Sequence, residues 1–319
     1  NPILKLQMMN KSRRDFLKLT GLAGAGLLTG GARRAAESDM LKADRQQRFN
    51  MHGYAAPALD LVRVGIVGMG GRGNGAASRL NRVEGVEIRA IADVEDSAIE
   101  AALERMRRNE NFPHTPDTYS GSEDAWKGLA DRDDIDLIFV CTPWHLHTPV
   151  CVYGMEQGKH VVTEIPAAKT IEECWQLVET SERTRRHCYQ LTNITYGFFE
   201  MVTLKMAREG FFGDIIHGEG AYIHQLLTHN FSKNQYHDMW RLRENAARNG
   251  NLYPHHGLGT VAQIMNINNG DRMEYMVSVS SDDFMMGKRA RELAEEDDFY
   301  KEFADETYRG NMNVSVIRT

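Results

Sequence analysis

The sequence predicts an α/β chain, with a doubly wound parallel sheet in its N-terminal half and an α+β domain on an open, mainly antiparallel sheet in its C-terminal half. Three observations predict this arrangement. A glycine fingerprint, Gly68-x-Gly70-x-x-Gly73, lies between an apolar run and a helical segment. Strand and helix patterns then alternate as far as Asn193. Beyond that residue the alternation stops, and separate strand patterns follow one helix.

The glycine fingerprint is a weak signal alone, but here it has the required context. Residues 62–67 form a largely apolar strand pattern, and a helical pattern follows Gly73. The first glycine permits a tight turn, the second lets the backbone approach a pyrophosphate, and the third allows close packing of strand and helix. Phosphates bind well at a helix N-terminus, where free N–H groups favour anions. We therefore predict a dinucleotide-binding Rossmann domain with these cofactor contacts: Gly68, Met69, Gly70, Gly71, Arg72 and Gly73.

The second strand pattern, at residues 85–94, contains Asp93. An acidic residue at this place accepts hydrogen bonds from the adenosine ribose hydroxyls, and its charge disfavours a ribose phosphate. The sequence therefore predicts NAD as the cofactor. Two arginines, Arg72 and Arg89, keep NADP open. The alternative role for Asp93 is to cap a helix at the end of its strand.

Further strand patterns at residues 134–143, 160–166 and 188–193 alternate with helix patterns at 98–108, 149–158 and 170–186. This alternation indicates a parallel sheet, in which ligands bind beyond the carboxyl ends of the strands. Trp144 is either a wall for the nicotinamide or a core tryptophan, and His147 either contacts the cofactor or caps the next helix. The predicted cofactor contacts at this edge are Thr142, Trp144, His147, Glu164 and Asn193.

The predicted domains are residues 61–193 and 194–319. In the second domain a helix pattern at 196–210 precedes strand patterns at 214–224, 275–281 and 312–319. The stretch NGNLYPHHGLG, residues 249–259, contains proline and glycine and predicts a turn. The sheet is expected to be open, with its last strand at the end of the chain, and a homo-oligomer through this sheet is one expectation.

The N-terminal residues 1–35 have the layout of a twin-arginine signal peptide. Arg13 and Arg14 precede Asp-Phe-Leu-Lys and an uncharged segment at residues 19–32 that is too short to span a bilayer as a helix. We expect export to the periplasm or the cell surface. The alternative is a basic, weakly helical tail. Residues 36–60 are polar and are predicted to be a linker.

Composition excludes some partners. The net charge of −6 gives no basic field for nucleic acid, so none is predicted as a partner. The four cysteines include no C-x-x-C pair, which favours buried free thiols over a disulfide frame or a zinc site. His255 and His256 are adjacent rather than four residues apart on a helix, and no H-E-x-x-H accompanies them, so no metal is predicted.

The segments VGIVGMGGRG, CTPWHLHTP and HVVTEIPAAKT resemble the glucose–fructose oxidoreductase/inositol dehydrogenase/MocA family. The segments EGAYIH and WRLRENAARNGNLYPHHGLGTVAQIMNINNGDRMEYMVSVSS are similar to one branch of it, the NAD-dependent α-N-acetylgalactosaminidases of glycoside hydrolase family 109. Dehydrogenases of the wider family usually have Glu-Lys-Pro where this chain has Glu164-Ile165-Pro166. The branch also lacks that lysine, but it usually has Glu-Asn where this chain has Thr192-Asn193.

The resemblance implies a hydrolase that uses NAD instead of two flanking carboxylates. NAD would oxidise the sugar C3 hydroxyl, the C2 proton would be lost, the C1 group would leave, water would add, and C3 would be reduced again. A sugar or cyclitol dehydrogenase, or a non-catalytic NAD- or sugar-binding protein, are the alternatives.

The resemblance also suggests roles for single residues. His256 is the candidate base at C3, although a turn histidine is often structural. Tyr196 is the candidate second acid/base, or simply a packing residue at a helix start. Arg241 either clamps sugar hydroxyls or makes a surface salt bridge. The predicted substrate contacts are Glu164, Tyr196, Arg241, Tyr253 and His256.

Overall fold

The computed structural model describes residues 47–108, 114–309 and 313–319. The predicted twin-arginine signal at residues 1–35 and the first part of the predicted linker lie outside the described residues. The remainder of that linker, residues 47–60, forms no helix or strand. All elements below belong to one compact unit, Met51–Thr319.

The N-terminal half is a six-stranded parallel sheet. Its order is β3-β2-β1-β4-β5-β6, so the strand order reverses between β1 and β4 and leaves a crevice beyond their carboxyl ends. The predicted doubly wound sheet is confirmed. The strands are β1 (Val62–Val67), β2 (Val86–Ala92), β3 (Asp117–Tyr119), β4 (Leu137–Val140), β5 (His160–Thr163) and β6 (Cys188–Gln190).

Helices cover both faces of this sheet because successive strand residues point to opposite sides. On β4, Ile138 and Val140 join one buried cluster, whereas Phe139 between them joins the other. A capping box fixes the start of the last helix, since the Thr170 hydroxyl accepts from the Glu173 backbone N–H at 3.1 Å. The helices are α1 (Gly71–Leu80), α2 (Asp96–Arg108), α3 (Ala125–Ala130), α4 (His147–Glu156) and α5 (Ile171–Thr184).

The C-terminal half has its own buried cluster and a small antiparallel sheet. Met239, Leu242 and Phe303 belong to that cluster. The two strands pair in register, with Val277 opposite Val316. The elements are α6 (Phe198–Arg208), α7 (Leu227–Asn230), α8 (Trp240–Ala247), α9 (His255–Ile264), β7 (Tyr275–Ser280), α10 (Met285–Glu296), α11 (Lys301–Ala304) and β8 (Asn313–Arg318). The predicted α+β class with an antiparallel sheet is confirmed.

The strand predicted at residues 214–224 does not form. Two of its isoleucines, Ile216 and Ile223, are both 92% exposed. The segment runs against a helix instead, since a Cβ added to Gly218 would lie 2.8 Å from Val261 Cγ1 on α9. Alternation indicates a strand only where a neighbouring strand supplies hydrogen bonds, and none does so among the described residues.

The turn predicted at residues 249–259 is only partly correct, because α9 begins at His255. Proline is tolerated immediately before or at the first helical position, where its missing N–H would have no intrahelical partner. The glycine in the first turn of this helix serves close packing, since a Cβ on Gly257 would lie 2.5 Å from the Gly220 carbonyl carbon. The two histidines therefore lie on a helix rather than in a loop.

Candidate active site

The glycine fingerprint forms a cradle at the N-terminus of α1. Gly68 has a φ of 91°, and a Cβ there would lie 2.6 Å from the Cys141 carbonyl oxygen. A Cβ on Gly73 would lie 1.8 Å from the Gly68 carbonyl oxygen. In contrast, no atom lies within 4 Å of a Cβ added to Gly70 or Gly71. The first and third glycines are thus needed for packing, whereas the second faces open space, as a glycine that lets the backbone approach a pyrophosphate would.

The carboxylate of Asp93 holds the same loop. Its Oδ2 accepts from the Met69 backbone N–H at 2.6 Å, and its Oδ1 accepts from the Glu95 backbone N–H at 3.0 Å. Each oxygen has a further lone pair for a ribose hydroxyl. Arg89, one of the two arginines that kept NADP open, pairs with Glu87 at 3.0 Å and so has a carboxylate partner of its own.

His147, at the start of α4, is 1% exposed. Its Nδ1 lies 2.6 Å from the Pro166 carbonyl oxygen, and its Nε2 lies 2.9 Å from the Thr142 carbonyl oxygen. Burial lowers the pKa of this imidazole. Because both ring nitrogens face backbone carbonyls, His147 holds the loops after β4 and β5 together and does not offer a ring nitrogen to the cofactor. The Thr142 hydroxyl oxygen is buried without a partner among the described residues.

Two predicted cofactor contacts at this edge, Glu164 and Asn193, have side chains that are at least partly exposed and can contact a cofactor. Glu164 is half-buried and follows β5, and its backbone N–H donates to the Val140 carbonyl at 2.9 Å. Asn193 is exposed beyond β6. Between Glu164 and the cis-proline Pro166, the Ile165 side chain is 7% exposed and packs against aromatic rings. The position that a lysine would occupy in a dehydrogenase is therefore part of an apolar cluster.

An aromatic cluster lies next to Ile165 and joins the sheet to the C-terminal half. Trp144, only 3% exposed, contacts Trp240 and Tyr253 edge-on, with ring centroids 5.2 and 5.5 Å apart. Trp144 is thus packed as a core tryptophan, which was the alternative to a wall for the nicotinamide. Tyr253 is 7% exposed, and burial raises its pKa to about 12.

Arg241 lies among these rings. Its Cζ is 5.0 Å from the Tyr253 ring centroid and 5.7 Å from that of Trp144, and its Nη1 donates to the Tyr236 hydroxyl at 3.0 Å. No carboxylate pairs with it among the described residues, so it does not form the surface salt bridge that was the alternative. A half-buried guanidinium with unused donors is suited to bind sugar hydroxyls.

His256 also contacts the Tyr253 ring, with centroids 5.9 Å apart, and it is 8% exposed. Its ring stacks on Tyr222 at 4.8 Å with an interplanar angle of 18°. Burial, the charge of Arg72 and the neighbouring His224 lower the pKa of His256, so its neutral form is favoured. Its Nδ1 is buried without a hydrogen-bond partner among the described residues. A neutral imidazole in this position can accept a proton.

Tyr196 is not brought into this cluster. It is 51% exposed, and its hydroxyl forms a short hydrogen bond with that of Tyr189 on β6. Among the described residues no hydrogen bond or ring contact joins it to His256 or Arg241. The predicted role of Tyr196 as second acid/base remains a prediction.

The structure adds one residue that the sequence reasoning did not single out, Tyr222. Its hydroxyl lies 2.7 Å from Nδ1 of His224, and its ring contacts Tyr253 edge-on at 5.3 Å. Burial raises its pKa, and the charge of Arg241 opposes part of that rise. The segment EGAYIH was part of the family resemblance, so the signal for this tyrosine was in the sequence.

No group of three or more His, Cys, Asp or Glu side chains in the described part of the chain could hold a metal ion. No helix within those same ranges has the length and apolarity needed to cross a membrane.

Comparisons with known proteins agree with this geometry. Residues 62–191 match the family described as oxidoreductase family, NAD-binding Rossmann fold, and residues 196–319 match the glycosyl hydrolase 109 C-terminal domain. A glycosyl hydrolase family 109 protein from Shewanella pealeana is 40% identical over 311 residues, which are 98% of this chain and 67% of that protein. The chain belongs to glycosyl hydrolase family 109.

A second family 109 protein, from Shewanella baltica, is 39% identical over 312 residues with the same coverage. Solved structures share the fold. An NAD binding oxidoreductase from Klebsiella pneumoniae has a TM-score of 0.56 at 16% identity, over 71% of this chain and 57% of that one. The scyllo-inositol dehydrogenase of Lactobacillus casei, solved with NAD(H) and scyllo-inositol, has a TM-score of 0.52 at 16% identity, over 69% and 60%. This family 109 chain therefore spans less than two thirds of either structure. NAD as its cofactor is confirmed by the Rossmann-domain match.

Proposed function

We propose that this family 109 chain is an NAD-dependent glycosidase that removes terminal α-linked N-acetylgalactosamine. The observation that carries the proposal is the cluster of His256, Arg241 and aromatic rings next to an NAD-binding sheet. A buried neutral imidazole, an unpaired guanidinium and flat apolar rings together suit a sugar, which has hydroxyl groups and apolar ring faces.

The chemistry divides between the cofactor and the side chains. When bound, NAD supplies a reversible hydride acceptor for the sugar C3 carbon. His256 accepts the C3 hydroxyl proton and later returns it. With C3 as a carbonyl, the C2 proton becomes acidic, and its removal by a second base expels the group at C1. Water then adds at C1 and a proton returns to C2. The hydride and the proton would then return to C3 and its oxygen, so the released sugar has the original oxidation state.

Arg241 and Tyr222 hold the substrate in this scheme. Arg241 presents donors that stabilise negative charge developing on sugar oxygens. Tyr222 covers the imidazole of His256 and directs its own hydroxyl towards His224. The second base is Tyr196, as the sequence suggests, or Tyr222, which lies against His256.

Ile165 favours a glycosidase over a sugar dehydrogenase. The lysine found there in dehydrogenases supplies a proton carrier, whereas a buried isoleucine supplies none. A dehydrogenase must also release reduced cofactor at each turnover, but a glycosidase of this kind regenerates its cofactor.

Retained cofactor is consistent with export of the folded, loaded protein, and we propose the twin-arginine route for residues 1–35. Replacing Arg13 and Arg14 with lysine should retain the protein in the cytoplasm.

The experiment that tests the function uses a nitrophenyl α-N-acetylgalactosaminide with absorbance recorded for both nitrophenol and NADH. We expect nitrophenol release with no accumulation of NADH. Accumulation of NADH in step with substrate loss would identify a dehydrogenase. If the protein holds NAD but cleaves no glycoside in a panel of α-linked sugars, it is a non-catalytic binding protein.

A further inference from the structure

A half-buried ion network adjoins the aromatic cluster through Arg248, which contacts Trp144, and takes no part in the proposed chemistry. Glu244 on α8 is at its centre, with its side chain 12% exposed. Its Oε1 accepts from Nζ of Lys169 at 2.6 Å, and its Oε2 lies 3.3 Å from Nη2 of Arg248. The partners are 20% and 27% exposed, so one carboxylate is shared by two partly desolvated cations.

The network connects three segments that carry site residues. Lys169 lies in the loop after β5, five positions beyond Glu164. Glu244 lies three positions beyond Arg241 on the same helix, and three positions apart are neighbours on a helix surface. Arg248 ends that helix five positions before Tyr253, and its Cζ lies 5.8 Å from the Trp144 ring centroid.

We propose that Glu244 is a positioning residue that fixes the sugar-binding side of the site against its cofactor-binding side. The proposal rests on the proposed function, because only a substrate held between Arg241 and the NAD-binding edge needs this distance to be fixed. Transfer between a sugar carbon and a cofactor requires reacting atoms about 3–3.5 Å apart, so a small displacement of α8 costs rate. The hydrogen bond from Lys169 to Glu244 resists such a displacement because moving α8 away from the loop after β5 breaks it, while Arg248 at the end of the same helix holds the Glu244 carboxylate in place.

The same helix offers a matched control. Arg243 donates to both carboxylate oxygens of Glu302 on α11, at 3.0 and 3.1 Å. That pair is 43% and 50% exposed and ties α8 to the C-terminal cluster without contacting the aromatic site. Glu244→Gln and Glu302→Gln therefore each remove one carboxylate charge that anchors α8. Only Glu244 belongs to the ion network that adjoins the aromatic cluster.

Two measurements on the full chain test the proposal. The first is kcat per NAD-loaded site, which corrects for any unfolded fraction. We expect Glu244→Gln to lower kcat at least tenfold with KM changed less than twofold, and Glu302→Gln to change kcat less than twofold. The kcat of the double variant Lys169→Met/Glu244→Gln should fall no further than that of the more impaired single variant, because both substitutions remove the same ion pair.

The second measurement does not depend on glycosidase activity. Hydrogen exchange followed by mass spectrometry should show faster exchange in the peptides covering residues 165–170 and 240–253 for Glu244→Gln than for Glu302→Gln. Equal exchange in the two variants overturns the proposal, and so does an equal kcat. A wild-type protein that cleaves no glycoside but shows the expected exchange difference contradicts the proposed function while leaving the anchoring contact established.

Discussion

The imidazole of His256 lies almost parallel to the phenol ring of Tyr222, with ring centroids 4.8 Å apart. The stack covers one face of the candidate base and contributes to its burial, while the Tyr222 hydroxyl bonds to His224. Replacing Tyr222 with phenylalanine should keep the stack and remove only the hydroxyl. We expect kcat/KM to fall about 10- to 100-fold if the hydroxyl binds or protonates the sugar.

The matched variant for that test is Tyr196→Phe, which removes a hydroxyl from the exposed pair with Tyr189. A larger loss for Tyr222→Phe assigns the second acid/base to the cluster around His256. A larger loss for Tyr196→Phe instead supports the assignment made from the sequence. Steady-state kinetics with the nitrophenyl glycoside distinguishes the two.

His256→Ala should reduce kcat/KM by about 100- to 10,000-fold, the usual range for loss of a general base. NAD retention should be unchanged, because the ring contacts of His256 among the described residues are with Tyr222, Tyr253 and His255 and not with the glycine cradle. The control is His255→Gln, which alters the adjacent ring but not the proposed base. Equal loss in both variants would mean that the effect is structural.

The rate should depend on pH through the same imidazole. Burial, Arg72 and His224 lower the pKa of His256 from its ordinary value of 6.5, so the neutral base persists at pH values below 6.5. The acid limb of a kcat/KM profile should therefore have its midpoint below pH 6.5, and His256→Ala should remove that limb from any residual activity. A midpoint above 6.5 contradicts the assignment.

Stability should also fall in acid. Burial and the neighbouring His256 lower the pKa of His255 from 6.5 to about 4. Because the unfolded chain binds the proton more tightly, the free energy of unfolding is unaffected above about pH 6.5 and decreases as the pH falls towards 4. After allowance for partial exposure we expect roughly 1–2 kcal/mol from this residue. Urea unfolding at pH 4.5 and 7.5 should show a smaller difference for His255→Gln than for the wild type.

Two glycines of the cradle should respond differently to alanine. Gly73→Ala places a methyl carbon 1.8 Å from the Gly68 carbonyl oxygen, so the chain should lose about 3 kcal/mol or more of stability. Gly70→Ala meets open space and should unfold within about 1 kcal/mol of the wild type, yet bind NAD at least tenfold more weakly. Thermal unfolding and NAD titration check the pair. Unchanged NAD affinity in Gly70→Ala would show that the pyrophosphate lies elsewhere.

Much of the Rossmann domain could be predicted because its signals are local. Strand residues such as Ile138 and Val140 show their burial through hydrophobicity, and Gly68, Gly70 and Gly73 identify the turn by spacing. The same locality explains the wrong strand prediction and the partly correct turn prediction. Whether residues 214–224 form a strand depends on a partner distant in sequence, and Gly257 in the first turn of α9 serves packing against Gly220.

The site was predicted as a set of residues but not as an arrangement. Arg241, Tyr253 and His256 do come together, whereas Tyr196 does not. The contact between Lys169 and Glu244 joins residues 75 positions apart and has no sequence motif. The packing of Trp144 between two halves of the chain likewise depends on tertiary contacts that periodicity cannot show.

The central claim is that the glycosidic bond is broken by elimination after oxidation at C3. The most direct test is to cleave the α-N-acetylgalactosaminide in deuterated water and examine the released sugar by NMR. If elimination follows oxidation at C3, the released sugar should carry deuterium at C2 and retain the original hydrogen at C3, and no net NADH should form. Cleavage that leaves the C2 hydrogen unexchanged would contradict it.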